Sequence, residues 1–361
     1  MRVLVAGWLN SPHVTGWADA VAAAGHEVHL AGRAATQWPP PEERANVHML
    51  RADGPPLLRS LRMGRQLHAV AQQVEPDLVH AHWLPEFGWL AAREGLHPLV
   101  CSAWGSDVFG VRGHGKRRSR RALAVAELVL ADSADLARET RILAGRDVPV
   151  EVVRSPLDLE LFAPGDQRAA REVLGLPDGR LVVSMRGLEP IYNPVLLLEA
   201  FGIVLAARPD VRLVLKRPGG ETQPEVTATV DRLGLSDAVI MLGSVSLEQM
   251  PDVYRSADVV VSVPSTDSSP RSVWEAFACG RPVVVSDLPW AREELEDGRH
   301  ALLTRLEPDA IAASIGRILD DTELAHRLGA ESRALAVSEL DSQRWLARID
   351  ELYRSVIGST W

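Results

Sequence analysis

The chain has 361 residues, which exceeds the size at which a single hydrophobic core usually stops growing, so two domains are expected. Hydrophobic residues make up 46% of it and the net charge is -9, which disfavours nucleic acid as a main partner because phosphate contacts require a clustered basic surface. The two cysteines, Cys101 and Cys279, lie in apolar stretches, which is typical of buried thiols in a reducing compartment and not of disulfides.

Short β-branched runs alternate with segments of helical period, which predicts parallel sheets with helices on both faces. The first run has no cleavage site after it, so it is predicted to be a strand and not a signal peptide. No apolar run approaches the roughly 18 residues of a membrane-spanning helix, and we expect a cytoplasmic protein. The strands predicted in the first half are VLVAG (3–7), VHL (28–30), DLVHAH (77–82), LVCSAW (99–104), LVLADS (128–133) and VEVVRS (150–155).

The second half repeats this arrangement after a segment, SPLDLELFAPGDQRAA, in which proline, glycine and acidic residues break both periodicities. A hinge is predicted near residues 156–167, between an N-terminal domain of residues 1–160 and a C-terminal domain of residues 161–340. Two such domains would bind a ligand in a cleft at the carboxyl ends of their sheets. The strands predicted here are LVVSM (181–185), VRLVLK (211–216), AVIML (238–242), DVVVSV (258–263) and PVVVSD (282–287).

The last segment, residues 341–361, is predicted to be an amphipathic helix that packs back toward the N-terminal domain. One face of this helix carries the apolar side chains Trp345, Ile349, Leu352 and Val356.

Residues 264–282, PSTDSSPRSVWEAFACGRP, place Asp267 and Glu275 eight residues apart around a predicted helix start. Asp267 lies in a loop at the carboxyl end of a predicted strand. Pro270 and the segment SVWEAFACG predict a helix with Ser272 as its N-cap. One interpretation of Ser272 and Glu275 is therefore a capping box, in which each side chain satisfies a backbone amide of the other.

The alternative interpretation of this stretch is a site for a nucleoside diphosphate. The N–H groups of a helix N-terminus bind anions, and Arg271 adds a positive charge there. The helix end would bind the phosphates, Glu275 would accept hydrogen bonds from both ribose hydroxyls, and Asp267 would face the group esterified to the second phosphate. The combination of loop, cation and helix start favours this interpretation.

The stretch also resembles the E-x7-E motif of the family 4 glycosyltransferases, which are retaining enzymes of the GT-B fold. The resemblance implies an α/β protein with two Rossmann-like, doubly wound domains facing across a cleft, the first for the acceptor and the second for the nucleotide-sugar donor. Segments that resemble the family in the same order extend over most of the chain: AAAGHEVHL, LVHAHW, LVCSAWGSD, SPLDLELFAP, RGLEPIYNPVLLLEAF, ACGRPVVVSD and LPWAREELEDG.

The resemblance implies a role for each group around this motif. Glu275 would bind the ribose of the donor. Asp267, one methylene shorter than the family's usual glutamate, would lie near the donor sugar and stabilise charge that develops on it. The helix start formed by Arg271, Ser272 and Val273 would contact the donor as well.

Family members clamp the pyrophosphate with an arginine after the first strand of the second domain and a lysine five or six residues later. Arg186 matches the arginine, and its guanidinium offers bidentate phosphate contacts. Tyr192 occupies the position of the lysine. Lys216, at the end of the next strand beside Gly219 and Gly220, would supply the missing charge, and the alternative is a solvated strand-end cation.

The sequence contains no Asp-x-Asp pair and no cluster of His, Cys and carboxylates with the spacing of metal ligands. Side-chain cations and the helix end are therefore expected to neutralise the departing diphosphate without a metal ion. No cofactor is expected, since a UDP- or GDP-sugar would serve as the donor substrate.

The first domain departs from the family at two places. The family's first strand-to-helix loop has a glycine pair and a histidine, and this chain keeps His13 but has Trp8 and Leu9 in place of the glycines. Trp104 replaces a histidine that reaches the donor sugar, and an indole can stack on a sugar. Asp107, three residues later, remains as a polar contact for donor or acceptor.

Two further features of the first domain each have two interpretations. His80 and His82 alternate along one strand, and His82, nearer its carboxyl end, is the candidate for the site, whereas His80 is interpreted as a core histidine. The basic run RGHGKRRSRR (112–121) is interpreted as a solvated surface. The alternative is contact with an anionic acceptor or a membrane, as in relatives that glycosylate lipids.

These observations predict a retaining glycosyltransferase that moves a sugar from a nucleotide-diphosphate sugar to an acceptor hydroxyl without a metal ion. Two alternatives stay open at this point: a nucleotide-sugar epimerase of the same architecture, and a non-catalytic sugar-binding relative, suggested by the missing lysine, histidine and glycine pair. A dehydrogenase is disfavoured because no GxGxxG follows the first strand.

Overall fold

The computed structural model describes residues 1–35, 46–216, 221–243 and 245–358. The chain forms two compact units, one of Met1–Pro156 with Ser342–Trp361 and the other of Leu157–Asp341. The change from one unit to the other lies at the start of the segment in which the sequence predicts the hinge.

Within the described residues the first unit has a seven-stranded parallel sheet with the strand order β3-β2-β1-β4-β5-β6-β7. The order reverses between β1 and β4, which pair through Val3 and Leu78. The strands are β1 (Arg2–Trp8), β2 (Glu27–Arg33), β3 (Val47–Met49), β4 (Leu78–His82), β5 (Leu99–Ser102), β6 (Leu128–Ala131) and β7 (Val150–Val152).

Helices cover both faces of this first sheet. They alternate with the strands, as in βαβ units, and two of them begin with proline, whose fixed φ suits the first helical turn. A π-helical turn, Trp83–Gly88, connects β4 to the next helix. The helices are α1 (Pro12–Ala23), α2 (Pro56–Val74), α3 (Trp89–Arg93), α4 (Gly113–Leu123) and α5 (Ala134–Ala144).

The second unit repeats the architecture with a six-stranded parallel sheet among its described residues, in the order β10-β9-β8-β11-β12-β13. Its order reverses between β8 and β11. The strands are β8 (Arg180–Ser184), β9 (Val211–Lys216), β10 (Val239–Leu242), β11 (Val259–Ser262), β12 (Val283–Ser286) and β13 (Leu302–Thr304). The helices are α6 (Gln167–Leu174), α7 (Pro194–Ala207), α8 (Gln223–Arg232), α9 (Met250–Ser256), α10 (Arg271–Ala278), α11 (Pro289–Glu294), α12 (Pro308–Asp320) and α13 (Thr322–Glu339).

Both sheets are buried on both faces, because valine and leucine dominate their central strands. The prediction of parallel α/β sheets is confirmed, and each strand predicted from the sequence is present with its ends shifted by at most a few residues. Two short strands were not predicted, Val47–Met49 and Leu302–Thr304.

Among the described residues, one segment, Pro190–Ala207, is long and apolar enough by composition to cross a membrane, with a mean hydropathy of 1.6. The sequence analysis did not identify it, because Asn193 and Glu199 interrupt the apolar run. Most of it is α7, whose Leu198, Phe201 and Val204 lie in the core against the second sheet. A core helix satisfies the same criteria as a membrane span.

The last helix, α14 (Ser342–Gly358), packs on the first sheet. Its predicted apolar face is buried beside α1, and the Trp345 indole donates a hydrogen bond to the Arg154 carbonyl at 2.8 Å. The Tyr353 hydroxyl accepts a hydrogen bond from Trp17 at 3.1 Å, so the helix is anchored by polar contacts as well as by packing.

Candidate active site

The candidate site lies at the carboxyl edge of the second sheet. Arg186 follows β8, Lys216 ends β9, and Asp267 lies in the loop after β11. Because β8 lies between β9 and β11, these three strand ends are neighbours along one edge. The order of the sheet reverses between β8 and β11, and α/β sheets bind ligands at such a switch point.

Arg186 is the centre of this edge. One terminal nitrogen donates a hydrogen bond to the Asp267 carboxylate at 2.7 Å, and the other donates to the Ser272 hydroxyl at 3.2 Å. The guanidinium carbon lies 4.2 Å from the centroid of the Tyr192 ring. The buried Arg186 Nε has no hydrogen-bond partner in the part of the chain that the structure describes. The side chain is thus held in place by three neighbours and keeps a donor that an additional acceptor could use.

The start of helix α10 differs from the prediction. The helix begins at Arg271, with Pro270 as its N-cap at φ -66° and ψ 127°, so Ser272 is its second residue. The predicted capping box of Ser272 and Glu275 is wrong, because Glu275 then lies too far into the helix to cap it. Proline presets the extended entry two residues before the predicted N-cap. The Ser272 hydroxyl accepts from Arg186 instead.

Glu275 lies in the second turn of α10, with 8% of its surface exposed. Its Oε2 accepts a hydrogen bond from the Tyr254 hydroxyl at 2.6 Å, and its Oε1 accepts one from Arg271 Nε at 2.9 Å. A carboxylate has about four lone-pair sites, so these two donors leave acceptor capacity on each oxygen. The Val273 side chain packs in the core. Its N–H donates to the Pro270 carbonyl at 2.9 Å, which stabilises the first turn of α10.

The position of the missing family lysine is a short 3₁₀ turn, Pro190–Tyr192. Asn193, in the left-handed region at φ 52°, follows this turn and donates to the Val263 carbonyl and the Ser265 hydroxyl, both at 2.9 Å. These bonds hold the turn against the loop after β11. The aromatic ring of Tyr192 is the part that meets Arg186, a contact the sequence did not indicate.

Lys216 is exposed at the end of β9. It forms no ion pair with any of the residues described. Gly219 and Gly220, which the sequence places beside it, lie outside the described residues. The contact of Lys216 with a phosphate stays a prediction.

In the first unit the structure brings together three residues that the sequence singled out separately. The ring centroids of His13 and Trp104 are 4.8 Å apart, and those of His82 and Trp104 are 5.6 Å apart. Both nitrogens of the buried His82 ring lack a hydrogen-bond partner within the described ranges. Burial lowers the pKa of His82 well below its usual value, so the ring is neutral.

His80 is hydrogen-bonded to the Tyr353 hydroxyl at 2.7 Å and to the Ser102 hydroxyl at 2.8 Å. Burial lowers the pKa of His80 to about 3. The interpretation of His80 as a core histidine with satisfied hydrogen bonds is confirmed.

Asp107 is fully buried, and both of its oxygens accept backbone hydrogen bonds, from Trp104 at 2.8 Å and from Leu84 at 3.0 Å. Burial raises the pKa of Asp107 to about 6. The carboxylate therefore fixes the loop that carries Trp104, and its predicted contact with a sugar stays a prediction.

The basic run forms most of α4, with Arg112 as the N-cap. The Arg118 guanidinium lies over the Trp89 ring at 4.2 Å from its centroid, and Arg120 Nε donates to the Leu143 carbonyl at 3.0 Å. Lys116 and its neighbours on the outer face are exposed. This arrangement is typical of a solvated helix face, and contact with a membrane stays a prediction.

Two family models match the chain. The model described as glycosyl transferases group 1 matches residues 166–335, and the one described as glycosyl transferase 4-like matches residues 2–133. The chain belongs to the family 4-like glycosyltransferases. The predicted resemblance is therefore confirmed, and each of the two sheets lies largely within one of the matched regions.

Among the relatives within this glycosyltransferase family are proteins named D-inositol 3-phosphate glycosyltransferase. The one from Segniliparus rotundus is 33% identical over 300 residues, which are 77% of this chain and 65% of that protein. The one from Mycolicibacterium smegmatis is 32% identical over 300 residues, 77% of this chain and 66% of that protein. The chain thus spans just under two thirds of the length of these relatives.

Solved structures show that the fold is GT-B. A sucrose-phosphate synthase from Thermosynechococcus elongatus matches with a TM-score of 0.86 and 20% identity, over 99% of this chain and 100% of that one. Anabaena HepE in complex with UDP-glucose matches with a TM-score of 0.82 and 21% identity, over 98% and 100%. The predicted fold class is confirmed.

One residue at the site was missed by the sequence analysis. Tyr254 lies on α9, outside the segment that carries the motif. Its ring is buried, so the local sequence does not distinguish it from any other core residue. Only the fold brings its hydroxyl to Glu275.

Proposed function

We propose that the protein is a retaining glycosyltransferase that transfers a sugar from a nucleoside-diphosphate sugar to an acceptor hydroxyl without a metal ion. The observation that carries this proposal is the grouping of Arg186, Asp267, Ser272 and the start of α10 at the switch point of the second sheet. Family membership supports the same reaction class.

The diphosphate of the donor would lie between Arg186 and the N-terminus of α10. The amide of Val273 is bonded to the Pro270 carbonyl, and the N–H groups before it, at the positive end of the helix, favour an anion. Arg186 would reach the phosphate with its unpartnered Nε, or exchange its Asp267 contact for a phosphate oxygen. The remaining lone pairs of Glu275 would accept hydrogen bonds from the ribose hydroxyls.

Transfer on one face of the sugar preserves the anomeric configuration. The bond from the anomeric carbon to the diphosphate oxygen breaks, and a bond to the acceptor oxygen forms on the same face. The acceptor proton passes to the departing phosphate oxygen, so no strong protein base is required. Asp267 would stabilise positive charge on the sugar ring, and Arg186 would stabilise negative charge on the diphosphate.

The chain's own cations would replace a metal ion in this reaction. Among the residues described, no group of three or more His, Cys, Asp or Glu side chains is arranged to hold a metal. Both cysteines are free thiols, which supports a reducing, cytoplasmic location. No further cofactor is proposed.

We assign acceptor recognition to the first unit, through His13, His82, Trp104 and Asp107. The HepE structure with UDP-glucose makes UDP-glucose the first donor to try. The names of the relatives make D-inositol 3-phosphate the first acceptor to try.

The proposal is tested by incubating the protein with UDP-glucose, UDP-N-acetylglucosamine or GDP-mannose, with and without a panel of hydroxyl acceptors. We expect release of the nucleoside diphosphate to increase with one acceptor, and NMR of the product to show the donor's anomeric configuration. Activity should be the same in EDTA as in buffer with magnesium.

Three outcomes would contradict parts of the proposal. Loss of activity in EDTA with recovery in magnesium or manganese would exclude the metal-independent reaction. An inverted product would exclude retention. Conversion of the donor to its epimer without release of diphosphate would support the epimerase alternative, and donor binding without turnover over the whole panel would support a sugar-binding protein.

A further inference from the structure

Of the two side chains that donate hydrogen bonds to Glu275, the fully buried Tyr254 is the one that lies on a different helix. Its hydroxyl donates to Glu275 Oε2 at 2.6 Å, and within the described residues this is the hydroxyl's one partner. The ring packs near Phe162, with 6.4 Å between the ring centroids. A phenylalanine would supply the same packing, so the hydroxyl is the part that needs an explanation.

The two donors to Glu275 hold it in different ways. Arg271 lies four residues before Glu275 on the same helix, so this pair moves with α10 as a unit. Tyr254 belongs to α9 and connects the carboxylate to the core beneath it. Tyr254 therefore determines where the carboxylate lies relative to the rest of the second unit.

The hydrogen bond from Tyr254 to Glu275 is of a kind that can hold a carboxylate in one orientation. A hydrogen bond from a neutral donor to a carboxylate is stronger and shorter than one between neutral groups. Burial, together with the charge of Glu275, raises the pKa of Tyr254 well above its usual value, so the phenol keeps the proton that it donates. A buried hydroxyl without a partner would be costly, which makes this orientation the favoured one.

We propose that Tyr254 is a positioning residue that directs the free lone pairs of Glu275 toward the ribose hydroxyls of the nucleotide. This inference rests on the proposed function, and in particular on the ribose contact of Glu275. It predicts that Tyr254 affects recognition of the ribose without touching the nucleotide.

The first experiment measures dissociation constants by calorimetry for wild type, Tyr254→Phe, Glu275→Gln and the double variant. The probes are UDP and 2′-deoxy-UDP, with GDP and 2′-deoxy-GDP as the second pair, and the pair that binds wild type more tightly is used. Tyr254→Phe should weaken binding of the ribonucleotide roughly tenfold and binding of the deoxynucleotide much less. In the Glu275→Gln background, Tyr254→Phe should add little.

Tyr353→Phe is the matched control. It also removes a buried hydroxyl that bonds to a neighbouring side chain, but in the first unit. We expect it to lower the melting temperature while leaving both dissociation constants unchanged. A purely structural role of Tyr254 would give the same pattern as this control.

A second measurement avoids dependence on how well Tyr254→Phe folds. The chain has three tyrosines, Tyr192, Tyr254 and Tyr353. After 3-fluorotyrosine labelling, Tyr192→Phe and Tyr353→Phe assign their own ¹⁹F resonances and leave that of Tyr254. The Tyr254 resonance should shift on saturation with the ribonucleotide and shift less with the deoxynucleotide.

The outcomes separate this inference from the proposed function. If Glu275→Gln lowers the preference for ribose but Tyr254→Phe does not, the positioning role is wrong and the ribose contact stands. If the two effects add in the double variant, or the ¹⁹F resonance does not respond, the positioning role is also wrong. If Glu275→Gln keeps the preference for ribose, or no nucleotide binds, the proposed site itself fails.

Discussion

The carboxyl edges of the two sheets share a strand order but differ in chemistry. In each sheet the order reverses between the first and fourth strands of the unit, β1 and β4 in the first and β8 and β11 in the second. At the second edge Arg186 meets Asp267 and Ser272 through hydrogen bonds. At the first edge the rings of His13, His82 and Trp104 pack together. The residues that meet at the second edge are charged or polar, whereas those that pack together at the first edge are aromatic rings.

This difference shows that the topology provides a place for a ligand and that the side chains decide which ligand it suits. A guanidinium beside a helix N-terminus suits a diphosphate, whereas an indole and the neutral imidazole of His82 suit the faces and hydroxyls of a sugar. The proposed assignment of the donor to the second unit and the acceptor to the first rests on this contrast, and it can be tested on both sides.

The largest expected effect comes from removing the charge at the second edge. Arg186→Met should lower kcat about a hundred- to a thousandfold, because the guanidinium stabilises the diphosphate as it departs. Steady-state kinetics on the best donor and acceptor would measure this. Arg180→Met is the matched control, since Arg180 lies at the other end of β8 in a bidentate pair with Asp210 at 2.8 and 2.9 Å. Equal losses in both variants would mean that Arg186 acts through stability alone.

A second prediction concerns Lys216, which lies at the same edge of the second sheet as Arg186. If it supplies the second positive charge, Lys216→Met should lower kcat about a hundredfold and weaken donor binding less, because its charge matters most as the diphosphate leaves. Tyr192→Phe should have a smaller effect, since the ring that stacks on Arg186 is kept. Near wild-type kinetics of Lys216→Met would support the solvated strand-end cation instead.

The smallest expected effect concerns the first edge and is a pH dependence of stability. The folded-state pKa of His82 is lowered by burial, so the unfolded chain binds the proton more readily and acidification favours unfolding. Between pH 7.5 and 6.0 this should cost about 1 kcal/mol of unfolding free energy. His80, whose pKa is lowered to about 3, adds a loss of the same sign in this range, and Asp107, whose pKa is raised to about 6, offsets part of it near pH 6. The contribution of His82 is therefore isolated by comparison with a variant that lacks this histidine.

Urea unfolding at the two pH values would measure this loss in wild type and in His82→Phe. The variant keeps a ring among Trp17 and Trp104 but removes the titrating group, so its stability should depend less on pH. His114→Gln, at an exposed position of α4, should behave like wild type. An unchanged pH dependence in His82→Phe would show that His82 is not held neutral by the fold.

Much of the fold was predictable from local pattern. Valine-rich runs such as VVVS at 259–262 and 283–286 are apolar on both faces, which indicates central parallel strands. The two missed strands, Val47–Met49 and Leu302–Thr304, have three residues each and lie at the edges of their sheets. Such short segments carry too little periodicity to distinguish them from loops.

The candidate site was predictable only in part. Arg186 and Asp267 were predicted from the family motifs and from their places in the segments that follow apolar runs, and parallel strands bring such positions to one edge. The start of α10 was misplaced by two residues, since Ser272 and the proline two residues before it are both compatible with a helix start. In the structure the N-cap is Pro270.

The sequence by itself determined the α/β class, the repeated architecture, the position of the chemistry at strand ends and the family, because each depends on local periodicity or on ordered motifs. The tertiary structure decided which side chains meet. Tyr254 reaches Glu275 from another helix, and Tyr353 reaches His80 across 273 residues. Contacts of this kind depend on the packing of elements distant in the chain, and a buried tyrosine has the same local pattern whether its hydroxyl serves a site or only the core.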